Sequence, residues 1–257
     1  MLTIKAIRGG QTLNLSNNVN YALISAAGVT PPKAEVNTSP LATKDGSLFN
    51  SSRLQNRNVV LTVCPVGNVE QARLGLYSFF KAKQAVQLEL KTASRDVVID
   101  GWVESVNGDL FSAKQAIQIS IICPDPYFRD KDETVVNYSS QAATLVNGSD
   151  DAVGFVTEFT ASGAVEGVTL VNSTNGQSFA VSVTLASGDK LILNTKRGEK
   201  SVKKVHNGTE TSVINLMDVN SDWVQLEVGS NSLSFSCTSG ATNLSAKSVL
   251  QQIYEGV

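Results

Sequence analysis

The stretch that most constrains this fold runs from residue 116 to 128, AIQISIICPDPYF. Isoleucine occupies positions 117, 119 and 121, which is the pattern of a β-strand with one strictly apolar face. Two prolines within three residues then remove hydrogen-bond donors that a sheet requires, so the strand must end there. An aromatic pair and a charged segment, 129–133, follow. This change of composition predicts a domain border between residues 128 and 129.

Length and composition favour two folded domains and exclude several classes of protein. A chain of 257 residues lies near the size at which one hydrophobic core gives way to two. The net charge of −2 gives no basic footprint for a nucleic acid. The first ten residues show no signal-peptide pattern, and no run approaches the ~18 apolar residues of a membrane span. We therefore expect synthesis and folding in a cytoplasm, with no membrane span.

Residues 1–128 are predicted to form an α+β domain, in which a strand-rich sheet carries one helix. The helix begins after Asn68, whose side chain can cap it, and Gln71 lies in the capping-box position. Its apolar residues recur at helical spacing, which is typical of a helix packed on a sheet. They are Val69, Ala72, Leu76, Phe79 and Phe80.

Residues 28–58 break the alternating pattern of the first half. They are rich in proline, serine, threonine and asparagine, and we predict a long loop without regular structure. Two interpretations are open: a mobile surface loop, or an arm that becomes ordered against a neighbouring subunit. In the second case, Leu41, Leu48 and Phe49 are the candidate intersubunit anchors.

Residues 129–257 are predicted to form an antiparallel β-sandwich, because short apolar runs alternate with glycine, asparagine and serine. The pairs Asn175-Gly176, Gly188-Asp189 and Asn207-Gly208 are typical of hairpin turns. Another predicted strand covers 224–228. The whole chain is therefore expected to be mainly β with one helix.

An ordered set of short motifs resembles the distal tail protein (Dit) family of long-tailed, siphovirus-type bacteriophages and related prophage tails. The first motif closes the strand described above, and the others follow in the second half up to the C-terminus. The motifs are Asp125-Pro126-Tyr127-Phe128, Gly188-Asp189 with the alternating run to Thr195, Ser221-Asp222-Trp223, Leu226 to Asn231 with its Gly229, and Tyr254-Glu255-Gly256-Val257.

The resemblance implies a structural, non-enzymatic hub protein of the viral tail. It implies that 1–128 build a hexameric ring and that 129–257 form a galectin-like or carbohydrate-module-like β-sandwich. The implied partners are other copies of the chain, the major tail protein, the tail-associated hub or lysin protein and receptor-binding proteins. The implied location is the tail tip, or baseplate, of the virion, where host adsorption takes place.

The motif residues also have purely structural interpretations. Gly188 and Gly229 allow tight turns, Trp223 is expected in the core, and Asn231 is expected to bond its own backbone. They identify the family and do not mark a binding site.

The residue inventory offers no catalytic, cofactor or metal site. His206 is the single histidine and precedes a predicted hairpin turn. Three separated cysteines, Cys64, Cys123 and Cys237, are expected to be reduced thiols. One histidine and three scattered cysteines do not make a zinc site, and the paired aspartates do not suggest a glycosidase cleft.

The alternative function is a carbohydrate-binding β-sandwich module of a tail or cell-surface adhesin. Sugar sites commonly present exposed aromatic rings for stacking, whereas the aromatic residues of the second half fall mostly on predicted core positions. An interrupted basic cluster within 196–204 is interpreted as a solvated hairpin, with a contact surface for an acidic partner as the second possibility.

Overall fold

The computed structural model describes residues 2–109 and 115–257, and the chain forms two compact units. The first unit comprises the chain up to Lys131 together with Tyr254–Val257, and the second comprises Asp132–Ile253. The predicted second domain, 129–257, therefore differs from the second unit at both ends. The difference matters at the C-terminus, because the last four residues form contacts within the first unit.

The described residues contain one α-helix, α1 (Val69–Phe79), two short 3-10 helices, and strands that form antiparallel sheets. The strands up to the border are β1 (Thr3–Arg8), β2 (Gln11–Asn14), β3 (Tyr21–Ala27), β4 (Ala34–Pro40), β5 (Ser47–Leu54), β6 (Arg57–Pro65), β7 (Ala85–Lys91), β8 (Asp96–Gly108), β9 (Ile117–Cys123) and β10 (Phe128–Asp130). The remaining strands are β11 (Thr134–Asn137), β12 (Ala142–Asn147), β13 (Val156–Ala161), β14 (Val165–Asn172), β15 (Gln177–Leu185), β16 (Lys190–Asn194), β17 (Ser201–His206), β18 (Thr209–Ser212), β19 (Gly229–Ser239), β20 (Leu244–Leu250) and β21 (Ile253–Tyr254). The mainly β fold with one helix is confirmed.

The first unit is a sheet in the order β2-β1-β7-β8-β9-β6-β3, with β10 beside β8 and β21 beside β10. The strand predicted from alternating isoleucines is β9, and positions 117, 119 and 121 are all buried. The Asn68 side chain accepts the Gln71 N–H at 3.2 Å and caps α1, as predicted. Leu76 and Phe80 are buried in the same core as the sheet, so the helix covers one of its faces.

The prediction of a structureless loop over 28–58 is wrong. Strands β4 and β5 pair into a separate two-stranded sheet, which we call the β4–β5 hairpin. The pattern was hidden because both faces are largely exposed, so burial imposes no alternation of apolar and polar residues. A register shift between Asn37 and Thr38 interrupts the remaining periodicity further.

The second unit contains two antiparallel sheets with a shared core, as predicted for a β-sandwich. One sheet has the order β11-β20-β13-β16-β17-β18 and the other β12-β19-β14-β15. Phe159 of the first sheet meets Phe235 of the second with ring centroids 5.7 Å apart. The predicted strand at 224–228 is wrong, since this segment makes only an isolated bridge between Leu226 and Val153.

Candidate assembly surfaces

Arg57 joins three separate segments of the first unit. It is buried, with 3% of its surface exposed, and within the described part of the chain its guanidinium donates only to main-chain oxygens. Nε donates to Pro126 O at 2.7 Å, Nη1 to Gly28 O and Thr30 O at 2.6 and 2.7 Å, and Nη2 to Glu255 O at 2.6 Å. Burial lowers the pKa of Arg57. No motif or spacing in the sequence singles out this residue.

Arg57 brings two of the sequence motifs together. Pro126 belongs to the motif that closes β9, and Glu255 belongs to the C-terminal motif. The guanidinium also lies over the Phe128 ring, 4.5 Å from its centroid. Asp125 accepts the Tyr127 N–H at 3.1 Å, which forms the turn that brings the aromatic pair inward. Tyr127 and Phe128 are both buried, so the motif fixes the fold of the first unit.

The motif Gly188-Asp189 forms a turn around a buried carboxylate in the second unit. Gly188 has φ +89°, a conformation that glycine adopts without strain. Asp189 accepts the Ala186 N–H at 3.0 Å, and it lies 2.6 Å from His206 Nδ1 and 3.0 Å from Lys204 Nζ. The Ala186 N–H, followed by His206 and Lys204, holds the pKa of Asp189 well below its usual range. His206 is therefore engaged in a structural contact.

Asn231 is buried near the start of β19, two residues after Gly229, which has φ +97°. Its Nδ2 donates to Glu227 O at 2.7 Å and to Gly229 O at 3.0 Å, as predicted for a residue that bonds its own backbone. Asn172 also donates to its Oδ1 at 3.0 Å. This cluster orients the segment before β19.

Trp223 differs from its prediction as a core residue, because it is only partly buried. Its ring packs beside Phe179 at the edge of the core, with centroids 6.2 Å apart. The Lys200 ammonium lies over the Trp223 ring, 5.6 Å from the ring centroid. This placement makes Trp223 a packing residue between the core and a basic hairpin.

The basic cluster of 196–204 is largely committed to partners within its own unit. Lys203 pairs with Glu210 at 2.9 Å, and Lys196 lies 3.7 Å from Glu133. Together with the Lys204–Asp189 contact, these pairs favour the interpretation as a solvated hairpin over an acidic docking surface.

The β4–β5 hairpin presents a polar face and a more apolar face. On one face, Arg53 and Glu35 form an ion pair at 2.8 Å, and Asn37 donates to Ser51 at 3.1 Å. Alternation along β4 places Val36 on the opposite face, and the register shift after Asn37 pairs Phe49 with Thr38 on that same face. Phe49 is 60% exposed, so the described residues leave most of its apolar surface uncovered.

The other two predicted anchors are also exposed. Leu48 retains 59% of its surface in contact with solvent, and Leu41 lies beyond the end of β4 near the hairpin tip. The register places Leu48 on the polar face, opposite Ser39. The anchors are thus brought together on one hairpin but point to both of its sides.

The nine-stranded sheet offers further exposed elements at its ends and on a central strand. Its terminal strands in the pairing order are β2 and β3, and among the residues that the structure describes each pairs on one side only. Ile24 is exposed where the register of β3 shifts, and Trp102 is exposed on β8. These features give the first unit more than one surface that a neighbour could cover.

The described residues contain no group of three potential metal ligands, and none of their helices is long and apolar enough to cross a membrane. All three cysteines are free, and burial raises the pKa of the Cys123 thiol to about 12. In the second unit the aromatic residues are buried or half-buried, and a shallow groove beside β12 is lined by aliphatic and small polar residues. The aromatic stacking surface required by the carbohydrate alternative is not seen in the part of the chain described.

A family model matches most of the second unit. Residues 148–247 match the model described as siphovirus-type tail component, C-terminal domain. This segment is therefore similar to a siphovirus-type tail-component domain, and we call it the tail-component domain. The tail-component domain covers the buried Asp189 turn and the Asn231 cluster, whereas Arg57 and the β4–β5 hairpin lie outside it. No curated protein sequence matches the chain.

Solved structures resemble the whole chain in fold. The Dit protein (gp 19.1) of phage SPP1, described as a paradigm of the hub adsorption apparatus in phages that infect Gram-positive bacteria, has a TM-score of 0.74 at 12% identity over 98% of this chain and 99% of its own. A chain of the phage P2 baseplate in its activated conformation with Ca has a TM-score of 0.54 at 11% identity, with both chains covered completely. The likeness shows that the first unit, as well as the tail-component domain, follows a fold found in these phage proteins.

Proposed function

We propose that this protein is the distal tail protein of a siphovirus-type phage or prophage, a structural hub that joins the tail tube to the tail tip and adsorption apparatus. The observation that carries the proposal is the tail-component domain at 148–247, within a chain whose entire fold resembles SPP1 Dit. On this proposal the protein acts by assembly and is not an enzyme.

The first unit is the ring-forming part of this proposal. A ring needs two different contact surfaces on each copy, related by a rotation that closes. The open sheet edges at β2 and β3 and the exposed β4–β5 hairpin supply candidate surfaces for such contacts. We expect a hexamer, with the hairpin lying on the neighbouring copy through Phe49 and Leu48 or Leu41.

The second unit is the docking part. Its β-sandwich, which we expect to be galectin-like, would contact receptor-binding proteins, while the ring would meet the major tail protein on one side and the tail-associated hub or lysin protein on the other. The location proposed is the tail tip of the virion, after synthesis in the host cytoplasm.

The test is native mass spectrometry of the full chain over a range of micromolar concentrations, followed by electron microscopy of the largest species. The expected result is a closed assembly of six copies with a central opening. A chain that remains monomeric throughout this range, or that forms open filaments, would contradict the ring.

A further inference from the structure

The β-sandwich has four edge strands, and two of them are blunted by features of the structure. Strand β15 is covered by the segment after the first 3-10 helix, which adds main-chain bonds from Asp218 N–H to Ala180 O at 2.9 Å and from Asp222 N–H to Ser178 O at 2.7 Å. Strand β18 has only four residues and carries Glu210, paired with Lys203. Covering, short length and charge are the usual means of preventing an edge from pairing with another chain.

The edge at β12 lacks these protections. In its register with β19, the Phe235 N–H bonds Gln141 O at 2.9 Å, so every second residue from 141 onward bonds β19. The main-chain groups of Ala142, Thr144 and Val146 therefore point away from β19. Ala142 exchanges two main-chain bonds with Ser139, but no described residue pairs with the main chain of Thr144 or Val146.

The surroundings of this edge are neutral and partly apolar. The groove beside it is lined by Val136, Asn137, Ser139, residues 142–144 and Ser232, none of which carries a charge. Val146 is 61% exposed on β12, and Val135 is 56% exposed on the neighbouring edge strand β11. The edge thus combines outward main-chain groups with exposed valines and without a lysine or glutamate that would repel a strand.

We propose that the β12 edge is a strand-addition site that binds an extended, uncharged segment of a partner polypeptide. The segment would pair its main chain with Thr144 and Val146 and place small or apolar side chains in the adjoining groove. Main-chain pairing supplies affinity in this mode of recognition, and alternate side chains supply specificity. A charged segment is disfavoured, because the groove offers no counter-charge for groups that lose water. The inference concerns the second unit alone and does not depend on the ring.

The test selects binders from a displayed library of random linear twelve-residue peptides, using the full-length chain as the target. We expect the enriched peptides to be uncharged with alternating apolar residues. On binding, the Thr144 and Val146 amides should become protected from hydrogen exchange. The substitution Thr144→Pro removes the outward N–H while leaving the bonds to β19 in place, and it should weaken the selected peptides at least about tenfold.

Three variants separate main-chain pairing from other causes. Thr144→Val retains the N–H and should keep the affinity, and Ser212→Pro places a proline on β18 and should also leave it unchanged. Val146→Lys introduces a charge at the edge and should weaken binding even if Thr144→Pro fails to fold. Peptides that bind Thr144→Pro and Val146→Lys as well as the original chain, or a library without peptides that protect these amides, would overturn the proposal. Dimerisation of the chain through this edge, abolished by Val146→Lys, would also overturn it by making a second copy the occupant.

Discussion

The β4–β5 hairpin and the sheet that carries α1 belong to the same unit but treat their apolar side chains in opposite ways. In the core between helix and sheet, Leu76 of α1 and Ile117, Ile119 and Ile121 of β9 are fully or almost fully buried. On the hairpin, Leu48 and Phe49 remain mostly exposed. An isolated two-stranded hairpin is only marginally stable in water. The comparison therefore places the stability of the unit in the sheet and its capacity for new contacts in the hairpin.

Substitution of Arg57, which begins β6 of the sheet, should give the largest change in stability. We expect Arg57→Met to lower the free energy of unfolding by about 3–5 kcal/mol, because it leaves several buried carbonyl groups without their donor. Urea denaturation of the full chain measures the change. The control is Arg53→Met on the hairpin, whose exposed ion pair with Glu35 is worth at most about 1 kcal/mol. Equal effects of the two substitutions would contradict the division between sheet and hairpin.

Leu76 tests the packing of the helix on the sheet. Leu76→Ala should destabilise the protein by about 2–5 kcal/mol, since it removes a side chain with no exposed surface. Leu74→Ala on the exposed side of α1 should change the stability by less than about 0.5 kcal/mol. Chemical denaturation of the two variants in parallel measures both. A negligible effect at Leu76 would show that the stripe does not stabilise the unit.

Asp189 extends the comparison to a buried polar site. Its folded-state pKa lies below the value of about 3.9 for an unfolded aspartate, so its ionised form stabilises the folded state. This contribution is present above the unfolded pKa and is lost as the pH falls from that value through the folded pKa. Thermal unfolding is measured from about pH 5 down to the lowest accessible pH. The stability of Asp189→Asn should fall less steeply with decreasing pH than that of the original chain. The exposed Glu210→Gln is the control, and unchanged slopes in both would contradict the assignment.

Phe49 should have the smallest effect on stability. Phe49→Ala is expected to change the free energy of unfolding by less than about 0.5 kcal/mol, because the ring buries little surface in the single chain. The same substitution should weaken self-association at micromolar concentrations. Denaturation and sedimentation of the same sample separate the two effects. A large loss of stability would mean that the hairpin packs within its own subunit.

The elements with one buried face were predictable from the sequence. The alternating isoleucines of β9 and the Asn68 cap of α1 follow from local rules that the tertiary structure obeys. The β4–β5 hairpin was not predictable, because an exposed two-sided sheet has no core to impose a period of two. The segment 224–228 resembled a strand for the opposite reason, since Val224 and Leu226 are buried without strand pairing along their length.

The links between distant segments were also beyond the sequence. Arg57 contacts main-chain oxygens as far away as Glu255, and main-chain acceptors leave no trace in residue type. The turns at Gly188 and Gly229 were predictable because only glycine adopts their conformations readily. The motifs could thus be read as structural, while the residue that joins two of them could not be identified.

Sedimentation velocity of the full chain, compared with a variant that lacks residues 34–54, tests the central claim most directly. Lys33 O accepts the Gln55 N–H at 3.1 Å, so the ends of the deletion already lie together and a short glycine-serine link can join them. We predict a closed oligomer for the full chain and a much weaker association for the deletion, with the same cooperative unfolding of the remaining sheet. An oligomer that persists without the hairpin, or a full chain that stays monomeric at every concentration, would contradict the account.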